Sequence, residues 1–314
     1  MDQAVALIEQ GRRMEEYYVR ELHWGDVTGE EFWRVDDSEV CQINVVSSSG
    51  LSRYAREPGD DVNTILNTIA PWGGWHKLHY KPGEYFPRMA RPDSLKNLVL
   101  GRNPDPRDEF RHYRARSTGQ LHAFVQELDQ ICRVIQPEGR NLGTFGHATR
   151  NLLILACTEV EAHWKTVLED NGYKSNKRNG RFDTTDYVNI LEAMRLDKYV
   201  VNLNYFPWLP TFAPFLGWKR EDATKTLPWY QAYNRVKHDR EGHFAEATLE
   251  RALVAVTACF VMLCAQYGWD FALQDKEAER AFFQLVEAPR WAPSEIYVPR
   301  FGANYRPMQF PFVG

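Results

Sequence analysis

The segment that most constrains the fold lies near the end of the chain. From Ala247 to Tyr267 the sequence predicts one long helix that is apolar around most of its circumference, through Ala247, Leu249, Leu253, Val256, Phe260 and Leu263. A helix with no polar face to give to water must be packed on several sides, so it belongs at the centre of a helical core. Its most apolar run, Ala252 to Ala265, falls short of the ~20 residues a bilayer span needs, so no membrane partner is expected.

Two more helices are legible from periodicity. Leu121, Phe124, Val125, Leu128, Ile131, Cys132 and Ile135 recur at helical spacing, with Ser117 as the expected N-cap and Pro137 as the stop. A second helix is expected over residues 147–169, with a core stripe of Leu152, Leu155, Ala156, Val160, His163, Trp164 and Val167 and a close at Asn171-Gly172. Pro228 fits the first turn of a short helix, WYQAYNRVKH, and a polar break at residues 239–243 separates it from the last helix. Asp183 and Thr184 cap a further helical stretch through Met194, and KYVVNLN reads as a strand. PWLPTFAPFLGW, between Phe206 and Trp218, is an apolar loop whose three prolines exclude a regular helix; it reads as a hydrophobic cap or a dimer contact.

The first hundred residues read differently. Residues 1–24 are amphipathic and expected to be helical. EFWRV, DDSE and VCQINVV read as strand, turn and strand, and residues 61–69 as a short helix ended by Pro71. Residues 71–92 are rich in Pro, Gly and Trp and read as loop. The C-terminal tail, rich in Pro and aromatics, reads as a surface wrap. The expected organisation is an N-terminal α+β region over 1–116, a helical domain over 117–268 with an insertion at about 174–227, and a C-terminal extension over 269–314.

Composition narrows the function. The net charge of −4 argues against non-specific coating of nucleic acid, though it leaves room for a local basic site. Five scattered cysteines, odd in number and without a C-x-x-C pair, read as reduced thiols, and the N-terminus has no apolar signal core; a cytoplasmic protein is expected. G-x-S-x-G, the phosphate-binding G-x-x-x-x-G-K-[ST] and H-E-x-x-H are absent. Gly139, Gly143 and Gly146 read as a tight turn before a helix, with Arg150 one turn in. His76 and His79, with Glu84 nearby, make two metal ligands without a third, so no metal or cofactor is expected.

The densest chemistry is WYQAYNRVKHDREGH. Asn234 and His238 are four apart and share a helix face. Arg235, Lys237 and Arg240 surround them with positive charge. A histidine that moves protons near neutral pH, an amide and cations that hold a phosphate, and a 2′-hydroxyl supplied by RNA are sufficient for metal-free RNA cleavage. The alternative is a polar helix end whose basic residues suit the negative end of the helix dipole.

A short helix ending in N-x-x-x-H before the final long helix resembles the HEPN superfamily. RNLLILACTEVEAHWKTVL also looks like the long helix that packs beside that motif. The resemblance covers residues 117–268. It implies a HEPN-like four-helix bundle, a mainly α fold with an N-terminal α+β extension, and a homodimer in which the motifs of two subunits face each other. It further implies metal-independent RNA cleavage in anti-phage defence, toxin–antitoxin systems or stress, with His238 and Asn234 catalytic and Lys237, Arg235 and Arg240 on the substrate phosphate. The family's nuclease motif begins with an arginine, and that position here is Tyr233. A non-catalytic module binding RNA or a protein partner therefore stands beside the nuclease.

Overall fold

A computed structural model describes residues 15–24, 27–45, 50–57, 59–268, 271 and 281–312. The chain divides into two compact units: residues 1–84, 92–98 and 291–306 form one, and residues 85–91, 99–290 and 307–314 the other. The architecture is mixed α+β, where the helical motifs had suggested a mainly α protein.

The first unit is built on a five-stranded antiparallel sheet of order β4-β3-β2-β1-β5, from β1 (Glu16–Trp24), β2 (Val27–Val35), β3 (Glu39–Gln42), β4 (Arg53–Ala55) and β5 (His76–Lys77). Residues 16–24 are therefore a strand, not the expected helix, and residues 1–14 of that segment lie outside the described residues. Propensity misleads here because β1 is paired along its whole length with β2, from Glu16↔Val35 to Trp24↔Val27. The β2–β3 turn is held by Asp36, whose Oδ1 accepts from the Ser38 and Glu39 N–H groups.

Both faces of the sheet are covered. Tyr18, Trp33, Val35 and Val40 pack against Leu66 of α1 (Val62–Ile69), which Asp61 caps by accepting from the Asn63 and Thr64 N–H groups. Val19 and Phe32, one residue along each strand, face the other way and pack against Leu78, Ile296 and Val298.

In the second unit, α2 (Asp108–Val134), α3 (His147–Asp170), α6 (Pro228–His238) and α8 (Leu249–Tyr267) are the four expected helices, and α8 lies against the other three. Every residue of α8 from Ala255 to Tyr267 is buried. As a helix it is longer than the apolar run suggested: it has 19 residues and a mean hydropathy of 1.6, which by length and composition would cross a membrane, but 83% of that stretch is buried inside the protein. Thr248 caps it by accepting from the Arg251 N–H.

α2 begins at Asp108, two turns before the expected cap at Ser117, so the expected boundary at 116/117 falls within a helix. The first turns are polar, with Phe110 alone buried before Thr118, and give no periodic signal. Leu155, expected in the core stripe of α3, is 55% exposed, and Leu153 is buried in its place. Gly172 closes α3 at φ +73°, with Gln309 side-chain atoms 2.6 Å from where a Cβ would stand.

Between α3 and α6 lie α4 (Thr184–Tyr187), capped by Asp183, α5 (Asn189–Met194) and β6 (Val200–Leu203), which pairs with β7 (Phe283–Glu287). The apolar loop folds inward: Phe215 and Trp218 are buried, while Trp208 and Leu216 are exposed. The polar break at 239–243 contains a single helical turn, α7 (Arg240–His243). Cys41, Cys157, Cys259 and Cys264 are buried free thiols, and Cys132 is half-buried.

Candidate functional site

α6 starts because Pro228 supplies a pre-set φ at its first position. Trp229, Tyr230, Ala232, Tyr233 and Val236 turn inward and are buried. That leaves Arg235, Lys237, His238 and, past the helix end, Arg240 exposed, with Asn234 between the two faces.

Three of the five predicted site residues are held by neighbours. Asn234 Nδ2 donates back to the Tyr230 carbonyl at 3.2 Å. Arg235 donates to Glu246 at 3.1 Å, and Glu246 also meets His243 at 2.9 Å and Arg251 at 3.3 Å. Burial raises the Glu246 carboxyl, but hydrogen bonds from Arg235 and His243 outweigh it and hold the group below the usual carboxylate range. Lys237 donates through Nζ to the Tyr233 hydroxyl at 2.7 Å and lies 4.9 Å from the centre of the same ring. His238 and Arg240 are exposed, and neither side chain makes a hydrogen bond among the described residues. No side-chain hydrogen bond joins any two of Asn234, Arg235, Lys237, His238 and Arg240 among the described residues.

The connected chemistry sits one layer deeper. The Tyr230 hydroxyl donates to one oxygen of Glu161 on α3, and the Tyr233 hydroxyl donates to the other at 3.2 Å. Burial pushes both phenols upward, and for Tyr230 the Glu161 carboxylate adds to it. The bond to Tyr233 leads in raising the Lys237 ammonium. The result is a chain, Glu161–Tyr233–Lys237, that starts at a carboxylate between two helices and ends in water. In the sequence the available signal is the spacing of Tyr230, Tyr233 and Lys237 along one helical face; Glu159 and Glu161 lie on different sides of their helix, so at most one of them could be expected near the site, and it is Glu161 that reaches it.

A second polar chain was also missed. His163 is 4% exposed; its Nδ1 accepts from Gln266 Nε2 at 3.1 Å, and its Nε2 lies 3.4 Å from Glu159. Gln266 accepts from Arg88 at 3.2 Å, and Arg88 donates to Asp170 at 2.7 Å. Burial, helped by the Arg88 charge, drops the His163 imidazole to about 3, and burial raises the Glu159 carboxyl.

Among the described residues no three His, Cys, Asp or Glu side chains converge as a metal set, and His76, His79 and Glu84 form none. At the start of α3, where Gly146 offers no side-chain cap, the Gly146 N–H donates to Thr149 Oγ1, which donates in turn to the Ala247 carbonyl at 2.7 Å. Comparison of the chain with protein-family models, with curated proteins and with solved structures returns no match.

Proposed function

We propose that this protein is a HEPN-like, non-catalytic RNA-binding module that meets phosphates with the exposed end of α6. The observation that carries this reading is Tyr233. It stands where the family's nuclease motif has its arginine, it is fully buried, and its hydroxyl is fixed between Glu161 and Lys237. An arginine cannot take that place without carrying a charge into the helix interface. Asn234 is spent on its own helix, so the pair His238 and Asn234 lacks its orienting member. What this end of α6 and the turn after it present is charge: Lys237, Arg240 just past the helix and, partly offset by Glu246, Arg235. In a cytoplasmic homodimer, two such ends would face one strand.

The second reading is metal-independent cleavage in defence or stress, and the exposure of His238 favours it, since a general acid or base must reach substrate. Binding to single-stranded RNA over a salt series separates the two. The first reading expects salt-sensitive binding that Lys237→Ala and Arg240→Ala each weaken, the slope falling by roughly 0.7 for each phosphate no longer neutralised. Cleavage that survives EDTA, leaves a 2′,3′-cyclic phosphate and disappears in His238→Ala establishes the second and overturns the first. Absence of RNA binding at low salt sinks both.

A further inference from the structure

At the β1–β5 edge of the five-stranded sheet, beside the turn that follows α1, the first unit holds a cleft of about 680 Å³. That is the size range of small-molecule sites. Its apolar wall is Leu22, Ile69, Leu95 and Leu98. At its rim stands Trp72, 82% exposed. A tryptophan costs more to leave in water than almost any side chain, and an indole face beside an apolar cleft is a stacking platform for a planar ring. Next to it, Gly73 and Gly74 turn the chain at φ +75° and +83°, and nothing lies within 4 Å of where a Cβ would stand. The backbone at this turn therefore leaves open space over the cleft.

The polar groups narrow the ligand. Arg20 reaches the cleft, but its guanidinium is already answered: Nε and Nη2 both lie 2.6 Å from one oxygen of Glu31, its direct cross-strand neighbour, and it rests 5.0 Å over the Trp75 ring. Glu21 adds a further carboxylate to the lining. The local formal charge is thus not positive, which disfavours a carboxylate or phosphate in the cleft. The remaining groups supply both senses of hydrogen bond: the Glu21 carboxylate accepts, and the His76 imidazole, on the same sheet face by the Val19↔His76 pairing, donates or accepts according to tautomer. An uncharged flat ring with alternating donors and acceptors on its edge satisfies this set, and a purely hydrocarbon ring does not.

We propose that this cleft binds a nucleobase, stacked on Trp72 with its polar edge toward Glu21 and His76. The site does not depend on α6. It is tested by calorimetric titration of the full chain with adenosine, guanosine, cytidine and uridine, and with short single-stranded oligonucleotides. The full chain labelled with 5-fluorotryptophan gives a second readout, with the Trp72 resonance assigned by its loss in Trp72→Ala. At least one nucleoside binds saturably and shifts that resonance. Trp72→Ala, at an exposed position that leaves the thermal midpoint unchanged, weakens binding roughly tenfold, while Trp72→Phe restores most of it and Lys237→Ala leaves it intact. Equal affinity for nucleoside and oligonucleotide identifies a free metabolite as the source of the base; much tighter, salt-dependent oligonucleotide binding identifies a strand. The proposal is overturned if no nucleoside binds up to its solubility limit, if Trp72→Ala binds as the parent does, or if benzoate binds better than every nucleoside.

Discussion

Glu161 and His163 leave α3 two residues apart and enter opposite environments. Glu161 turns toward α6, takes hydroxyls from Tyr230 and Tyr233, and through Tyr233 connects to an exposed ammonium at Lys237. His163 turns toward α8, and its partners are Gln266, Glu159 and, through Gln266, Arg88. One chain ends in an exposed ammonium; the other closes around a buried imidazole and a buried arginine, His163 and Arg88, each with a side chain 5% exposed, and meets water only at the carboxylates of Glu159 and Asp170. A polar group with an outlet can be rehydrated when its partner is lost, and a closed one cannot. Function is therefore expected where the chain opens, and sensitivity of the fold where it closes.

The severest test removes what separates the two faces. Trp164 is fully buried, stacks on Trp218 at 4.8 Å and meets Tyr230 at 5.1 Å. Trp164→Ala should cost about 3–5 kcal/mol in denaturant unfolding; a loss below about 1 kcal/mol would mean that the site collapses freely and that α3 is not the shared support.

The closed chain should show itself in pH. His163 titrates near 3 when folded against 6.5 ordinarily. A group with a depressed folded pKa leaves stability intact above its unfolded value. As pH falls below 6.5 toward 3, the unfolded chain binds the proton the folded one refuses, and stability should drop by up to about 1.4 kcal/mol per pH unit from this residue. Glu159, Arg88 and Asp170 are the charged groups that face or neighbour it. In His163→Gln, the pH slope of the unfolding midpoint between about 6.5 and 4 should flatten; an unchanged slope would assign the acid sensitivity elsewhere.

The smallest effect is expected at the open end. Lys237→Ala removes an exposed side chain and should change stability by no more than about 1 kcal/mol, with a melting curve close to that of the parent. A larger loss would show that Lys237 is a structural member of the Tyr233 chain and not free to serve a ligand.

The sequence was most informative where burial is periodic. The inner face of α2, most of that of α3 and the all-apolar α8 could be placed from spacing, and Asp183 and Pro228 marked helix starts through local chemistry. It misled at residues 16–24, where Glu, Arg and Leu suit a helix and the pairing with residues 27–35 decides for a strand. Of the candidate site, the exposed basic residues of α6 were legible. Their commitments were not, because Glu246, which holds Arg235, and Glu161, which Lys237 meets through Tyr233, each come from another element. The cleft beside Trp72 left only an excess of Trp and Gly in a loop as its trace.

The sheet unit has an unusual debt to the end of the chain. Its second face is closed by Ile296 and Val298, which cover Val19 and Phe32. During synthesis those two residues emerge after all of residues 99–290. Until then, strands made early must wait with one apolar face open, the state in which edge pairing with other chains is most dangerous. Long-range closure of this kind is slow, since the loop entropy must be met before the two ends can pack. A stop codon placed before Trp291 should therefore yield aggregates seeded by the sheet even where the helices have formed.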